Sequence, residues 1–277
     1  MGPAMTDLTN LNTSVGFIGA GNMAAALIRG MLKSGFAASK LSVTDLDSAK
    51  TESLADELGV QAKKDARSVI ENSDVIILAV KPYGVVPLLK SHATQSEGKL
   101  WLSVAAGVST ATMESALGAQ ARVVRVMPNT PALVGEGASG ICPGKNALES
   151  DMSTAQRLLG AVGICEVVSE GMMDAVTGVS GSGPAYIFLV IEAMADGGVK
   201  AGLSRPEALR LAAQTVRGAA SLMLETGKHP GELKDMVTSP GGTTIAGVEA
   251  LEKSGLRSAL MGAVSAAALR SKELSQA

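Results

Sequence analysis

The chain has 277 residues, with 24 Lys plus Arg against 26 Asp plus Glu, and a formal charge of −2 at pH 7. A protein whose main activity is to bind nucleic acid carries a surplus of positive charge, so this balance excludes that class. Hydrophobic residues make up 46% of the chain but aromatic residues only 2%, and 32 residues are glycine. The apolar interior must therefore consist of small and aliphatic side chains, and few rings are available to stack on bases or sugars.

Four features of the sequence bear on the protein's cellular compartment and on metal binding. The longest apolar runs, such as Val75–Val80 and Ala185–Ile191, are far shorter than the ~20 residues that a membrane helix needs. Cys142 and Cys165 form no CxxC pair, and the two histidines have no metal-binding spacing, which predicts reduced thiols and no zinc site. We expect a cytoplasmic protein with no bound metal and no membrane association. The first 13 residues lack an apolar signal core and are expected to form a polar tail.

The first half of the chain alternates short β-branched runs with helical stretches that are followed by glycine. The predicted strands are Ser14–Ile18, Leu41–Thr44, Val75–Val80, Leu100–Val104 and Val123–Met127, and the predicted helices are Asn22–Ser34, Ser48–Leu58 and Ser109–Leu117. Apolar strands that alternate with helices indicate a parallel sheet covered on both faces. Residues 14–170 are therefore predicted to form a Rossmann-type, doubly wound α/β domain.

The second half is predicted to be all helix, over residues 171–277. Its Ala-rich helical segments are Met172–Lys200, Pro206–Glu225, Pro230–Thr238, Thr244–Lys253 and Leu256–Leu274. Helices with so few large side chains bury little apolar area as a lone small bundle. Packing against a second copy would remedy this, so we predict a homodimer through this half. The alternative is that the bundle only supports the sheet.

A glycine-rich turn lies directly between the first strand and the first helix. Gly19, Gly21 and Ala24 give the pattern G-x-G-x-x-A. In a βαβ unit the first glycine permits the tight turn, the second lets a pyrophosphate approach the backbone, and the third position keeps helix and strand close. The turn predicts a dinucleotide site; the alternative is an ordinary glycine turn that ends a strand.

The second strand ends at Asp45, where such folds place the residue that contacts the adenosine ribose. A carboxylate accepts hydrogen bonds from a 2′-hydroxyl and repels a 2′-phosphate, so Asp45 alone favours NAD over NADP. The alternative is an exposed turn aspartate, with Asp47 as a competitor for the same role. Three further strand ends should lie at the ligand-binding edge of the sheet: Lys81-Pro82, Ala105–Gly107 and Pro128–Pro131. The alternative is that they are ordinary turns by which the chain leaves the strand.

The run Thr238–Thr244, TSPGGTT, interrupts the helical half and precedes a helix predicted at Ile245–Lys253. Pro and paired Gly end the first helix, and the threonines are expected to cap the second. Its N–H groups, with the hydroxyls of Ser239 and Thr244, would suit a carboxylate; the alternative is an ordinary inter-helix turn. A second run of small residues is Ser180–Tyr186, SGSGPAY. Its small side chains would let another backbone segment or a flat ring of a ligand come close; the alternative is that they serve helix–helix packing.

No convincing His, Cys or paired-carboxylate acid–base system connects these sites. The chemistry is therefore expected to come from a cofactor, with the protein supplying orientation and charge. Hydride delivery to an already electrophilic carbon, such as that of a protonated imine, needs little more.

From Val15 to the last helix, the sequence resembles the pyrroline-5-carboxylate reductase family. The similar blocks are GFIGAGNM, AVKP at Ala79–Pro82, MPNTPA at Met127–Ala132, AVTGVSGSGPAY at Ala175–Tyr186 and, most specific, LKDMVTSPGGTTIAGVEALE at Leu233–Glu252. The resemblance implies reduction of L-1-pyrroline-5-carboxylate to L-proline with NADPH or NADH, the last step of proline biosynthesis. It also implies an interlocked homodimer whose site draws on both chains, often assembled further into a ring.

The resemblance assigns three groups of site residues. The cofactor would be held by Ile18, Gly19, Ala20, Gly21, Asn22, Met23, Asp45, Val80, Lys81, Pro82, Ala105 and Ala106. The substrate would be held by Glu170, Ser239, Gly241, Gly242, Thr243, Thr244 and Ile245. Thr244 is the candidate catalytic residue, as a hydroxyl near the ring nitrogen. For Glu170 the alternative is a carboxylate stabilised at a helix N-terminus.

Three positions depart from the family pattern. Asp45 stands where many members have a Ser that receives a 2′-phosphate. Asp65-Ala66 replaces a stretch where an Asn often contacts the nucleotide, and Met236 replaces a polar residue seen in some members. A 3-hydroxyacid dehydrogenase of the 6-phosphogluconate dehydrogenase type remains an alternative, although no lysine stands near Gly181–Pro184 for its acid–base step. A non-catalytic nucleotide-sensing protein is a second alternative.

Overall fold

An eight-stranded sheet organises the first part of the chain in the computed structural model, which describes residues 6–276. The strands are β1 (Val15–Ile18), β2 (Leu41–Thr44), β3 (Gln61–Ala62), β4 (Val75–Leu78), β5 (Leu100–Ser103), β6 (Arg122–Met127), β7 (Gly137–Pro143) and β8 (Gly163–Val167). They lie in the order β3-β2-β1-β4-β5-β6-β7-β8. Strands β1 to β6 pair in parallel, which is the 3-2-1-4-5-6 order of a doubly wound dinucleotide-binding sheet. The predicted fold class is confirmed.

Helices connect these strands in the βαβ pattern that parallel pairing requires. They are α1 (Asn22–Lys33), α2 (Ser48–Leu58), α3 (Ala66–Glu71), α4 (Pro82–Ser91), α5 (Thr110–Leu117) and α6 (Glu149–Gly160). After the last strand come α7 (Met173–Val176) and a π-helical turn at Thr177–Gly181. Local chemistry starts several of them. The Asp47 side chain caps α2, and the Ser109 side chain caps α5.

The far edge of the sheet differs from the prediction. Strand β7 runs antiparallel to β6, and β8 pairs in parallel with β7. Neither strand was predicted, because Gly137–Pro143 mixes Gly, Ser and Pro with few apolar residues, and much of Gly163–Val167 is exposed. The doubly wound sheet thus carries a two-stranded extension beyond its parallel part.

The sheet is buried on both faces by aliphatic side chains. Along β4, Val75 and Ile77 belong to one core cluster, and Ile76 and Leu78 belong to the other, because successive strand residues point to opposite faces. Leu8 is also buried in the first cluster, with 1% of its surface exposed. The expectation of a polar tail is therefore wrong at Leu8, whose apolar side chain completes the core; residues 1–5 lie outside the described residues.

Helices form the second unit, Ser182–Ala266, while residues 267–276 belong with residues 6–181. The helices are α8 (Gly183–Lys200), α9 (Arg205–Thr226), α10 (Pro230–Met236), α11 (Thr243–Lys253) and α12 (Leu256–Gln276). Helices α8 and α9 pack through small residues, with Ala195, Ala208 and Ala212 in a shared cluster. The predicted boundary between residues 170 and 171 differs from the boundary of the compact units at residues 181 and 182, and the division of functions at that boundary stays a prediction.

The helical unit leaves many large apolar side chains exposed. Within the described residues of this unit, the fully buried apolar side chains are all alanines: Ala195, Ala208 and Ala212. By contrast, the exposed ones include Ile187, Phe188, Leu189, Met194, Leu211, Leu224, Met236, Val237, Leu251 and Met261. Apolar exposure on this scale marks an interaction surface, as the prediction of a homodimer requires.

Residues Glu170–Lys200 are long and apolar enough to span a membrane by length and composition, and their most apolar stretch has a mean hydropathy of 1.2. Only 17% of its most apolar window is buried, so this is part of the same exposed apolar surface.

Candidate functional site

The glycine-rich turn lies where the strand order reverses, between β1 and its two neighbours β2 and β4. Gly19 has a φ of +108°, and a Cβ there would lie 2.5 Å from the carbonyl oxygen of Ala79, so only glycine fits. A Cβ on Gly21 would meet nothing within 4 Å, and the start of α1 has no side-chain cap. The turn therefore offers free N–H groups beside open space, which suits a pyrophosphate.

Two further predicted segments lie beside this turn at the carboxyl edge of the sheet. The Ala79 N–H donates to the carbonyl of Ile18 at 2.9 Å, and the Val104 N–H donates to the carbonyl of Leu78 at 3.1 Å. The loops after β1, β4 and β5 are thereby aligned. In those loops Lys81, Pro82 and Ala106 are exposed, Val80 is half-buried and Ala105 is buried.

Asp45 directly follows β2 and contacts the glycine turn. Its Oδ2 accepts a hydrogen bond from the Ala20 N–H at 2.7 Å, and its Oδ1 accepts one from the Asp47 N–H at 3.0 Å. Asp47 in turn caps α2 by accepting from the Ala49 N–H. The two aspartates therefore have different tasks: Asp45 is joined to the nucleotide turn, and Asp47 starts a helix.

Glu170 is the centre of a polar cluster inside the sheet unit. Its Oε2 accepts from the Thr110 hydroxyl at 2.8 Å and from the Cys142 thiol at 3.3 Å, and its Oε1 accepts from Arg125 Nη1 at 2.5 Å. The Thr110 N–H also donates to Oε2. Arg125 is buried on β6, and its Nη2 has no hydrogen-bond partner among the described residues.

These contacts set the ionisation of the cluster. Burial by itself would raise the pKa of Glu170, but the hydrogen bonds from Thr110 and Arg125 together outweigh burial and lower the pKa below its usual value. Burial, followed by the charge of Glu170, raises the pKa of the Cys142 thiol to about 12. Burial likewise raises the pKa of Cys165 to about 12, so neither thiol is primed for nucleophilic chemistry.

Sequence reasoning did not find Arg125 as the partner of Glu170. A signal was present, because a charged residue in the middle of the strand RVVRVM must be paired once it is buried. The partner itself lies 45 residues away and could not be identified from local pattern. Among the described residues, no group of three or more His, Cys, Asp and Glu side chains could hold a metal ion.

The SPGGTT run forms a turn before α11 in the helical unit. Gly241 has a φ of +65°, and the Gly242 N–H donates to the Ser239 carbonyl at 3.1 Å. The prediction that the threonines cap the helix is wrong: α11 begins at Thr243, its N-cap is Gly242, and no side chain caps it. Gly242 has extended backbone, and a Cβ there would lie 2.3 Å from the Ser239 hydroxyl oxygen, which would have to move.

The missing cap leaves donors available at the start of α11. The first N–H groups of a helix have no partner within the helix, and the helix dipole is positive at this end. Thr243 and Ile245 are exposed and Thr244 is half-buried. The arrangement has the donors and the charge that a carboxylate needs.

The SGSGPAY run contains the change from π-helix to α-helix. The π-helical turn Thr177–Gly181 precedes α8, and the Ser180 carbonyl accepts a hydrogen bond from the Asn129 side chain at 3.0 Å. Asn129 belongs to the predicted sheet-edge segment and also accepts from the Ala138 N–H. A Cβ on Gly181 would come within 2.6 Å of Met127, which supports the packing alternative for this glycine.

The departures from the family pattern also have defined positions. The Asp65 side chain caps α3 by accepting from the Ser68 N–H at 2.8 Å. Met236 is the last residue of α10 and is exposed.

The sheet order, the glycine turn at its switch point and the separate helical unit define an NAD(P)-dependent oxidoreductase. Residues 14–107 match the family model described as NADP oxidoreductase coenzyme F420-dependent, and residues 170–274 match the model described as pyrroline-5-carboxylate reductase dimerisation. The chain is 52% identical to the pyrroline-5-carboxylate reductase of Methanosarcina acetivorans, over 95% of this chain and 98% of that one. The chain belongs to the pyrroline-5-carboxylate reductase family.

Other relatives agree across the whole length. The enzyme of Escherichia coli is 41% identical, over 96% of this chain and 100% of that one. The solved pyrroline-5-carboxylate reductase of Coxiella burnetii superposes with a TM-score of 0.91 at 37% identity, covering 95% of this chain and 98% of that one. The Plasmodium falciparum structure, solved with NADP bound, has a TM-score of 0.82 at 32% identity, covering 95% and 98%. The family predicted from the motifs is confirmed, and its dimerisation model supports the predicted homodimer.

Proposed function

We propose that this chain reduces L-1-pyrroline-5-carboxylate to L-proline, with NADPH or NADH as the hydride donor, in the last step of proline biosynthesis. The observation that carries the proposal is the full-length similarity to enzymes of that name, together with a nucleotide turn whose geometry suits a pyrophosphate. A 3-hydroxyacid dehydrogenase would require a lysine for its acid–base step, and this chain has no lysine near Gly181–Pro184.

The loops at the carboxyl edge of the sheet are proposed to hold the nicotinamide cofactor. The pyrophosphate would lie on the turn Ile18, Gly19, Ala20, Gly21, Asn22 and Met23, and the nicotinamide would be bordered by Val80, Lys81, Pro82, Ala105 and Ala106. The open space at Gly21 and the uncapped start of α1 support this assignment. When bound, the reduced cofactor supplies the hydride.

The turn before α11 is proposed to hold the substrate carboxylate, through Ser239, Gly241, Gly242, Thr243, Thr244 and Ile245. Its support is the set of unpartnered N–H groups left by the uncapped helix start. The Thr244 hydroxyl is proposed to contact the ring nitrogen, where it would orient the imine for hydride attack on the carbon. A carboxylate fixed at one end and a nitrogen at the other would present one face of the ring.

Glu170 is proposed to position the site rather than to touch the substrate. Both of its carboxylate oxygens already accept hydrogen bonds within the chain. Through Thr110 it holds the first residue of α5, and the loop that precedes α5 carries Ala105 and Ala106. Glu170 would therefore fix the loop that borders the nicotinamide.

We further propose that residues 14–170 bind the nucleotide and that residues 171–277 bind the substrate and dimerise. A ring of dimers and a cytoplasmic location are part of the same proposal, on the strength of the family resemblance. Light scattering of the purified protein would give the assembly directly: a mass of one chain would contradict the homodimer, and a mass of two chains would contradict the ring.

The activity is tested by initial rates of NADH and NADPH oxidation with pyrroline-5-carboxylate as substrate. We expect turnover that requires both substrates and yields proline. A 3-hydroxyacid with the oxidised cofactors serves as the control for the alternative enzyme class. Turnover of the hydroxyacid, without turnover of pyrroline-5-carboxylate, would overturn the proposed function.

A further inference from the structure

The last part of α12 belongs to the sheet unit and faces it with one side. Residues 267–276 form a compact unit together with residues 6–181. Ala267, Ala268 and Ser271 are half-buried, whereas Leu269 and Arg270 between them are exposed. Positions i, i+1 and i+4 lie on the same side of an α-helix, so the half-buried residues share one side of α12.

One hydrogen bond ties this side of α12 to α7. The Ser271 hydroxyl donates to Asp174 Oδ1 at 2.7 Å, although the two residues are 97 positions apart in the chain. Both side chains are half-buried, and a bond to a carboxylate is stronger than one between neutral groups. A helical serine commonly donates to the carbonyl four residues earlier, as Ser265 of the same helix does to Met261. Ser271 instead binds a residue outside its own helix.

Beyond this hydrogen bond, α12 passes beside the loop that follows β5. Gly107 in this loop has a φ of +77°. A Cβ on Gly107 would lie 3.9 Å from the Leu274 carbonyl oxygen and from the backbone of Ser275, which is van der Waals distance. Ala105 and Ala106, the proposed neighbours of the nicotinamide, immediately precede Gly107 in the same loop.

The chain after β8 therefore holds this loop at two points. Glu170 accepts two hydrogen bonds from Thr110, the residue with which α5 begins directly after the loop. Asp174, four residues after Glu170, holds α12 through Ser271, and α12 in turn lies against Gly107. A binding site keeps its geometry only where the residues that support it are themselves fixed.

We propose that Ser271 and Asp174 are positioning residues for the nicotinamide. By fixing the end of α12 they keep residues 105–107 in the shape that the ring requires. Loss of their hydrogen bond loosens this loop and weakens binding of the nicotinamide half of the cofactor, while the glycine turn still binds the pyrophosphate. The inference rests on the proposed function for the place of the nicotinamide, and is independent of which substrate is reduced.

The test compares the binding of NADH with that of ADP-ribose, which has the same pyrophosphate but no nicotinamide. Neither molecule has a 2′-phosphate, so the comparison does not depend on the cofactor preference. Calorimetry on the full chain gives both dissociation constants. We expect Ser271→Ala to weaken NADH binding by about 3–10-fold, the range for one lost hydrogen bond, and to leave ADP-ribose binding unchanged. Ser271→Thr retains the hydroxyl and should bind both molecules as the wild type does.

Two further variants sharpen the test. Ser265→Ala is the matched control on the same helix, since Ser265 is exposed and bonds within its own helix, and it should change neither affinity. Asp174→Ala should show the same selective loss as Ser271→Ala. The double variant should lose no more than either single variant, because both act through one hydrogen bond.

Three outcomes would overturn the inference. An equal loss of affinity for NADH and ADP-ribose in Ser271→Ala would show a general disturbance of the sheet unit. Unchanged affinity for both molecules, even with a lowered Tm, would show a purely structural role, and additive losses in the double variant would separate the two residues. Failure of the proposed function would appear as a wild type that does not turn over pyrroline-5-carboxylate, with the selective loss of NADH binding still present. The two failures are therefore distinguishable.

Discussion

The ion pair between Arg125 and Glu170 gives the sharpest prediction about the sheet unit. In Glu170→Ala the buried guanidinium of Arg125 loses its carboxylate partner at Nη1, while Nη2 already has none among the described residues. Removing one partner of a fully buried pair costs about 3–5 kcal/mol because the other charge stays buried and unpaired. The Arg125 side chain is 6% exposed but the Glu170 side chain is 36% exposed, so water can partly replace the carboxylate. We therefore expect a loss of about 2–3 kcal/mol in the free energy of unfolding.

Thermal unfolding followed by circular dichroism measures this loss. For a domain of this size, about 2–3 kcal/mol lowers Tm by about 5–10 °C. Glu170→Gln keeps the shape and an acceptor for Thr110 and should fall between wild type and Glu170→Ala. Glu97→Ala, at an exposed loop position, is the control and should change stability by no more than about 0.5 kcal/mol. An unchanged Tm in Glu170→Ala, with a raised KM for pyrroline-5-carboxylate, would refute the positioning role. It would instead favour the earlier prediction that Glu170 contacts the substrate directly.

Four other predictions concern the glycine turn, the turn before α11, stability in acid and the dimer interface. Gly19→Ala should weaken NADH binding more than about tenfold, because its φ of +108° and the adjacent carbonyl exclude a Cβ. Thr244→Ala should lower kcat/KM for pyrroline-5-carboxylate by about 10–100-fold at unchanged NADH affinity, since its proposed contact is with the substrate alone. Acid should destabilise the protein. Hydrogen bonds from Ser14 lower the pKa of Asp74 in the folded state, and the pKa of Glu170 is also lowered. The stability that these two carboxylates confer is therefore present above their usual pKa values of 3.8 and 4.5, and it is lost as the pH falls through their folded-state pKa values. Phe188→Glu, at a side chain 65% exposed in the single chain, should dissociate the homodimer, as measured by light scattering.

Each of these has an outcome that contradicts it. Wild-type affinity for NADH in Gly19→Ala would show that the turn does not approach the cofactor. An equal loss of NADH affinity in Thr244→Ala would indicate a general disturbance instead of a substrate contact. A Tm that stays flat from neutral pH to pH 3 would contradict the acid effect, and a Phe188→Glu dimer would place the interface elsewhere.

Local chemistry made the first half of the sheet unit predictable. The β1–α1–β2–α2 segment has buried apolar strands, glycine after each helix and a capping aspartate, and the structure reproduces those elements within one residue. Strands β7 and β8 could not be predicted in the same way. They are held by pairing with each other and with β6, which is non-local information that Gly137–Pro143 does not display.

The residues of the candidate site also differ in whether local sequence reveals them. The glycine turn, Asp45 and the SPGGTT run were visible as motifs because each is contiguous in sequence. The π-helical turn at Thr177–Gly181 and the Arg125–Glu170 pair were not, because the first has no distinctive composition and the second joins residues far apart in the chain. The cap of α11 was misassigned to threonine because propensity favours Thr, whereas the turn with its positive φ at Gly241 places Gly242 at the cap.

The proposed reaction is hydride transfer from a nicotinamide to the imine carbon of pyrroline-5-carboxylate. It is tested most directly with NADH deuterated at the transferable position of the nicotinamide, followed by mass spectrometry of the product. We expect proline that carries one deuterium on the former imine carbon. Unlabelled proline, or no proline although both substrates are present, would contradict it.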